Sequence, residues 1–209
     1  MVHKQPPRPR GRPRAYDPDV AMARVMDTFW DAGYAGTSLD DLSAATGMNR
    51  PSLYGAFGDK RALYLKALEG YRTKSRAGLK EALALDQTLR QALRRVYAAA
   101  LSVYLSGEGA ARGCFMIGTA ATEAVGNPEV RAFLAESVRG LDGAFEARIR
   151  FACERGELKP GADPAALAKL ASAVLHTLAI RARAGESRTA LEATAEAGVS
   201  LICGVTQTQ

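Results

Sequence analysis

Cysteine, histidine and tryptophan are scarce in this chain: three, two and one among 209 residues. Cys114, Cys153 and Cys203 make an odd, scattered set, with no CxxC pair and no histidine-rich tract beside them. That argues against a disulfide framework and a structural zinc, and it fits a reducing cytoplasm with neither metal nor cofactor expected. No apolar run reaches the roughly 18 residues that would span a bilayer. The opening MVHKQPPRPRGRPR is basic with no apolar stretch behind it, so a secretory signal is not expected. Sustained period-2 alternation is missing and Ala and Leu dominate the apolar positions, which argues against strands. Residues 86–206 hold no nucleophile elbow and no Gly-rich phosphate loop, so enzyme chemistry is not expected.

What is present is unevenly placed charge. The first fourteen residues carry five bases and no acid, which is +5 of the net +6. Residues 15–47 carry one base and six acids, a net of −5, and residues 48–80 carry eight bases and two acids, a net of +6. A basic arm and a basic block on either side of an acidic stretch are the footprint of a polyanion partner. A solubilising tail with a solvated helix face accounts for the same charges equally well.

Beyond a Pro/Arg-rich arm over 1–14, expected to lack structure, the chain reads as helix. Asp17-Pro18, Asn127-Pro128 and Asp163-Pro164 each set a capping side chain before a proline at the first helical position, where its missing N–H costs nothing. Ser38 with Asp41 makes a capping-box pattern, and Asp59 and Ser187 can cap two more helices. Gly33, Gly47, Gly58, Gly156 and Gly185 stand where periodic segments end. Helices are therefore expected near 17–32, 39–46, 50–56, 60–82, 86–105, 113–124, 128–155, 164–184 and 187–204: an all-α protein with a helix-turn-helix head over 15–80 and a helical body over 81–209.

The head has a specific pattern. Leu39, Leu42 and Ala45 line one side of a short helix, Gly47 turns the chain, Asn49 caps the next helix, and Leu53 and Phe57 face inward at i, i+4. Two helices joined by a tight Gly-containing turn form the unit that inserts its second helix into a DNA major groove. Upstream, Phe29, Trp30 and Tyr34 lie on a helix able to roof the pair.

The run Asp17–Tyr71 resembles the N-terminal domain of the tetracycline-repressor (TetR) family. Phe29-Trp30-Asp31-Ala32-Gly33-Tyr34, Thr37-Ser38-Leu39, Gly47-Met48, Leu53-Tyr54, Phe57 and Lys60–Leu63 carry the likeness over about 55 residues. The rest of the chain is similar in length, helical content and helix order only. The resemblance implies a homodimer on a pseudo-palindromic double-stranded operator, and a body that binds a small-molecule effector and alters the spacing of the two heads. It implies that Thr37 and Ser38 hold the backbone at the start of the second helix. Arg50, Pro51 and Ser52 would meet base edges, with Arg50 suited to guanine O6 and N7, and Tyr54 and Lys60 would meet phosphates. Gly55 and Ala56 depart from the pattern, because many relatives carry larger side chains there. Direct readout is expected to be thinner and to lean on Arg50 and the arm. In that arm, Arg10-Gly11-Arg12-Pro13 resembles an AT-hook core, which would lay Arg10 and Arg12 in a narrow minor groove; a nonspecific basic tail is the alternative.

In the body, the resemblance marks Tyr97, Leu101 and Tyr104, then Phe115, Met116 and Thr119, then Phe145 and Ile149 as effector-pocket residues, although each alone reads more readily as plain core. Cys114 follows Arg112-Gly113 at an expected helix start, where dipole and cation would lower a thiol pKa. A redox- or electrophile-sensing regulator is the alternative function, and a small packed cysteine is the plainer reading. Leu167, Leu170, Val174 and Leu178, with Leu191, Val199 and Ile202, form stripes on the last two helices that either meet a second copy in a four-helix interface, as the family resemblance favours, or close the core of a single chain.

Overall fold

The computed structural model describes residues 17–107 and 110–204, and all regular structure among them is helical. The head comprises α1 (Pro18–Gly36), α2 (Leu39–Thr46) and α3 (Arg50–Phe57); α4 (Lys60–Ala82) runs from it into the body. The body adds α5 (Leu89–Tyr104), a π-helical turn (Met116–Ala120) continuing into the short α6 (Ala121–Glu123), α7 (Pro128–Glu154), α8 (Pro164–Arg183) and α9 (Arg188–Cys203). The basic arm, with Arg10 and Arg12, lies outside the described residues.

Side chains set these limits as local chemistry requires. Asp17, Asn127 and Asp163 each accept two backbone N–H bonds ahead of a proline. Ser38 and Asp41 close a full capping box, with Ser38 N–H donating to Asp41 Oδ2 at 2.7 Å. Helix α5 starts at Leu89, later than expected, because Thr88 and Gln91 form a second capping box. Helix α1 runs past its expected end at 32, broken by a kink at Gly33 and resumed for a final turn. Gly47 stops α2 with φ 69°, ψ 13°, the left-handed conformation a turn into α3 demands. The segment expected as one helix over 113–124 is irregular until Phe115 and then π-helical, a form seen mostly as single turns at functional places.

One continuous core joins head and body. In the head, Val25 and Phe29 of α1, Leu42 of α2, Leu53 of α3 and Leu63 and Tyr64 of α4 are completely buried. In the body, Leu89 and Leu93 of α5, Phe145 and Ile149 of α7, Leu178 of α8 and Leu191 and Val199 of α9 are completely buried. Helix α8 is long and apolar enough to cross a membrane by composition, with a mean hydropathy of 1.3. It packs against α5, α7 and α9, which bury 39% of that apolar window.

The stripes on α8 and α9 take the second of their two readings within one chain. Leu178, Leu191 and Val199 are fully buried within one chain, and Ile202 and Val174 nearly so; Leu167 and Leu170 are half-buried against the same core. They form the seam between α8, α9 and α5. Gly198 lets that seam close, since a Cβ there would sit 2.7 Å from Val174 Cγ2. The face left open carries Ala173 and Ile180 on α8 and Ala190, Ala193, Ala197 and Leu201 on α9, with Ile180 58% and Leu201 72% exposed.

Candidate DNA-reading surface and its link to the body

Leu53 and Phe57 fasten α3 to the head, and this leaves Arg50, Pro51, Ser52, Tyr54 and Gly55 on the outside. Asn49 caps the helix by accepting from Ser52 N–H at 2.9 Å, so the first turn, where base-reading residues belong, is held without any bulky group over it. Tyr54 is 46% exposed with its ring on the open face. Nothing lies within 4 Å of the place where a Cβ on Gly55 would be, which makes the expected gap in the reading face an open one. Arg50 donates to both oxygens of Asp40 in α2, through Nε at 2.9 Å and Nη2 at 2.6 Å.

The flanking residues divide into two groups. Ser38 is exposed and engaged with Asp41, whose carboxyl is held below the usual range by the Ser38 hydroxyl and N–H. Lys60 places its ammonium 4.4 Å from the centre of the Tyr34 ring, at the first turn of α4. Asp59 already accepts from Ala62 N–H there, so that helix end offers a phosphate fewer free donors than the sequence suggests. Thr37, by contrast, is 1% exposed and its hydroxyl donates to Gly33 O at 2.7 Å. Its side chain, which also reaches Thr28 O at 3.4 Å, ties the kinked end of α1 back onto the same helix and is closed to solvent.

Behind the reading surface lies an aromatic seam that sequence reasoning split between two assignments. Phe115 packs with its ring 5.6 Å from Trp30, 5.7 Å from Tyr71 and 6.0 Å from Tyr64. Tyr64 in turn meets Phe29 at 5.1 Å and Tyr34 at 5.0 Å, and its hydroxyl donates to Thr119 Oγ1 at 2.7 Å. Burial pushes the Tyr64 phenol up to about 12, so it stays a neutral donor. Phe115 and Thr119, expected in an effector pocket, are instead the body's half of the joint with the head.

Arg112 locks the same joint from outside, a role that no spacing along the chain signals. Its guanidinium donates to Asp31 at 2.8 and 2.9 Å and to Asp27 at 2.8 Å, both on α1. Its carbonyl accepts from Trp30 Nε1 at 3.3 Å and Arg183 Nη1 at 3.4 Å. Arg112 is thus committed to the head's acids. The thiol of Cys114 is buried, 3.4 Å from the Tyr71 hydroxyl, and burial pushes its pKa up, opposite to the lowering expected from a nearby cation and helix end. At pH 7.5 its alkylation by N-ethylmaleimide is expected to be at least tenfold slower in the native protein than in urea; equal rates would show an accessible thiol.

Two cavities open on the body. One, of about 320 Å³, is walled by Cys114, Ile117, Gly118, Ala179, Ile180 and Arg183. The other, of about 270 Å³, lies between α5 and α9 and includes Tyr97 and Leu101. Tyr104, Phe115, Met116, Thr119, Phe145 and Ile149 line neither. Phe145 and Ile149 are completely buried core. His176 is half-buried and its pKa is pushed down by burial, as for a packed neutral imidazole.

Known proteins resemble this chain in sequence and fold. Residues 24–67 match the family described as bacterial regulatory proteins, tetR family, and residues 87–197 match the tetracyclin repressor-like C-terminal domain. The chain is 30% identical over 182 residues to the HTH-type transcriptional repressor ComR of Escherichia coli (strain K12), covering 85% of each. It is 32% identical over 117 residues to the repressor BdcR of the same organism, covering 56% of this chain and 59% of BdcR. Among solved structures, a cysteine mutant of the TetR family transcriptional regulator CifR complexed with 26-bp operator DNA superposes with a TM-score of 0.78 at 32% identity, covering 90% of this chain and 98% of that one. Head, seam and body together place this chain in the TetR family: it is a DNA-binding transcriptional regulator and not an enzyme.

Proposed function

We propose that this protein is a cytoplasmic repressor that holds a pseudo-palindromic operator as a homodimer and releases it when a small molecule binds the body. The observation that carries this reading is the joint at Arg112, Phe115 and Thr119, because one body segment grips both α1 and α4 of the DNA-reading head. On the reading surface, Arg50, Pro51 and Ser52 meet base edges; Tyr54, Ser38 and Lys60 meet phosphates, and Arg10 and Arg12 add minor-groove contacts. Thr37 supports the head from within. The 320 Å³ cavity is the effector site this reading favours, since Cys114, Ile117 and Gly118 in its wall are chain neighbours of Phe115 and Thr119. An effector there moves the joint and so the spacing of the two heads.

Selecting bound DNA from a random pool with the full-length chain tests the operator reading. A palindrome with half-sites about one helical turn apart, or a multiple of that, is expected; an unpatterned pool or a single half-site counts against it. Repeating the selection with a chain that starts at Ala15 tests the arm. Loss of an A·T preference flanking the half-sites is expected, with a shallower salt dependence; an identical result removes Arg10 and Arg12 from the reading.

The open α8–α9 face supplies the second subunit's seat in this reading. Leu201→Arg is expected to leave the fold intact, because a 72% exposed side chain contributes little within one chain. It should convert the dimer to a monomer at micromolar concentration by analytical ultracentrifugation. A variant that remains dimeric places the interface elsewhere.

A further inference from the structure

Asp40 has no duty in the fold. Its neighbour Asp41 makes the capping box of α2, while Asp40 sits in the same first turn with its side chain 72% exposed and its carboxylate turned to Arg50. A negative charge on the face that approaches phosphates repels DNA, so its presence there calls for a compensating use. The hydrogen bonds suggest one. A guanidinium has five N–H donors in a rigid planar fork. Asp40 takes the edge formed by Nε and Nη2. The outer edge, two protons on Nη1 and one on Nη2, is left free, and it has the two-pronged geometry that matches guanine O6 and N7.

We propose that Asp40 is a specificity-determining positioning residue: it clamps the inner edge of Arg50 so that the outer edge is presented to a guanine. The proposal rests on Arg50 reading a base, as inferred above. A free arginine side chain samples many rotamers and reaches either a phosphate or a base; one fixed at its inner edge by a planar carboxylate keeps a single plane and reach. Asp40 therefore lowers affinity for DNA in general and raises the preference for one base over the others.

The test uses the full-length protein and the operator obtained by selection. Affinities are measured for that operator and for versions with each half-site G·C pair changed to A·T, against wild type, Asp40→Ala, Arg50→Ala and the double variant. One G·C pair is expected to give a wild-type preference of about tenfold to a hundredfold. Arg50→Ala should abolish it, and Asp40→Ala should reduce it to about twofold while binding to unrelated DNA stays equal or tightens. In the Arg50→Ala background, Asp40→Ala should change the preference no further. Simple loss of charge shifts all sequences together, so the ratio between sequences isolates positioning from electrostatics. Asp40→Ala keeping the full preference while Arg50→Ala loses it overturns the inference alone. Arg50→Ala keeping the preference overturns the base-reading assignment itself. Unchanged thermal melting of both variants, expected for an exposed pair, confirms that the comparison is between folded proteins.

Discussion

Gly113→Ala is expected to destabilise the protein by about 3 kcal/mol, lowering Tm by roughly 6–12 °C for a chain of this size. Two costs add. Gly113 has φ 66°, where a side chain strains the backbone, and a Cβ there would stand 2.5 Å from the carbonyl oxygen of Ala179. That oxygen belongs to the interior of α8, so it cannot retreat without disturbing a helix packed on three others. Gly70→Ala is the control of opposite sign. It lies exposed inside α4 with nothing within 4 Å of its Cβ position, and it should stabilise by up to about 1 kcal/mol. Calorimetry on the two variants decides the matter; equal melting temperatures would mean that the Gly113 turn is not fixed against α8. Because Gly113 separates Arg112 from Cys114 and Phe115, Gly113→Ala should also weaken operator binding more than its folded fraction explains.

Arg112→Ala is expected to act on function more than on stability. Its side chain is 22% exposed and its partners Asp27 and Asp31 are 51% and 59% exposed, so solvent screens the pairs and their loss should cost only about 1 kcal/mol. Two carboxylates on α1 are then left without a cation, and Trp30 loses the guanidinium 5.4 Å from its ring. The head keeps its own core, hence operator affinity should stay within about threefold in the absence of effector. What should fail is communication: derepression in a reporter strain is expected to fall by about tenfold, the scale of a coupling energy of one to two kcal/mol. Trp30 gives an independent readout, since its fluorescence should change when Arg112 is removed. Full derepression by Arg112→Ala would show that the aromatic seam alone transmits the signal.

The head was largely legible in the sequence, and the reasons are local. Capping side chains, prolines at first helical positions and glycines with positive φ act within four residues of one another, so Asp17, Ser38, Gly47, Asn49 and Asp59 could be placed by spacing alone. Arg50 and Tyr54 could be assigned to the outer face because Leu53 and Phe57 fix the inner one. The body resisted for the opposite reason. Periodicity marks an apolar stripe without saying what covers it, so Leu178, Leu191 and Val199 read as an interface when they close the chain on itself. Ala190, Ala197 and Leu201, on the open face, are too small or too isolated to stand out as a stripe. The partners of Arg112 lie 81 and 85 residues away, and no pattern along the chain connects them. Asp40 and Arg50 are ten residues apart, across a turn whose geometry only the fold supplies.

The π-helical turn at Met116–Ala120 has a consequence for how a signal crosses the molecule. Such a turn holds one residue more than an α-helix needs, and Ala121 N–H bonds back to Met116 O across it. Helix register moves by whole residues, each worth about 100° of rotation and 1.5 Å of advance. Phe115 lies on one side of this surplus residue and α6 on the other. Sliding the surplus along the helix turns one side against the other in steps, with no stable halfway position. Under the proposed function, an effector acting through this turn would move the head by whole-residue steps rather than through a continuous range.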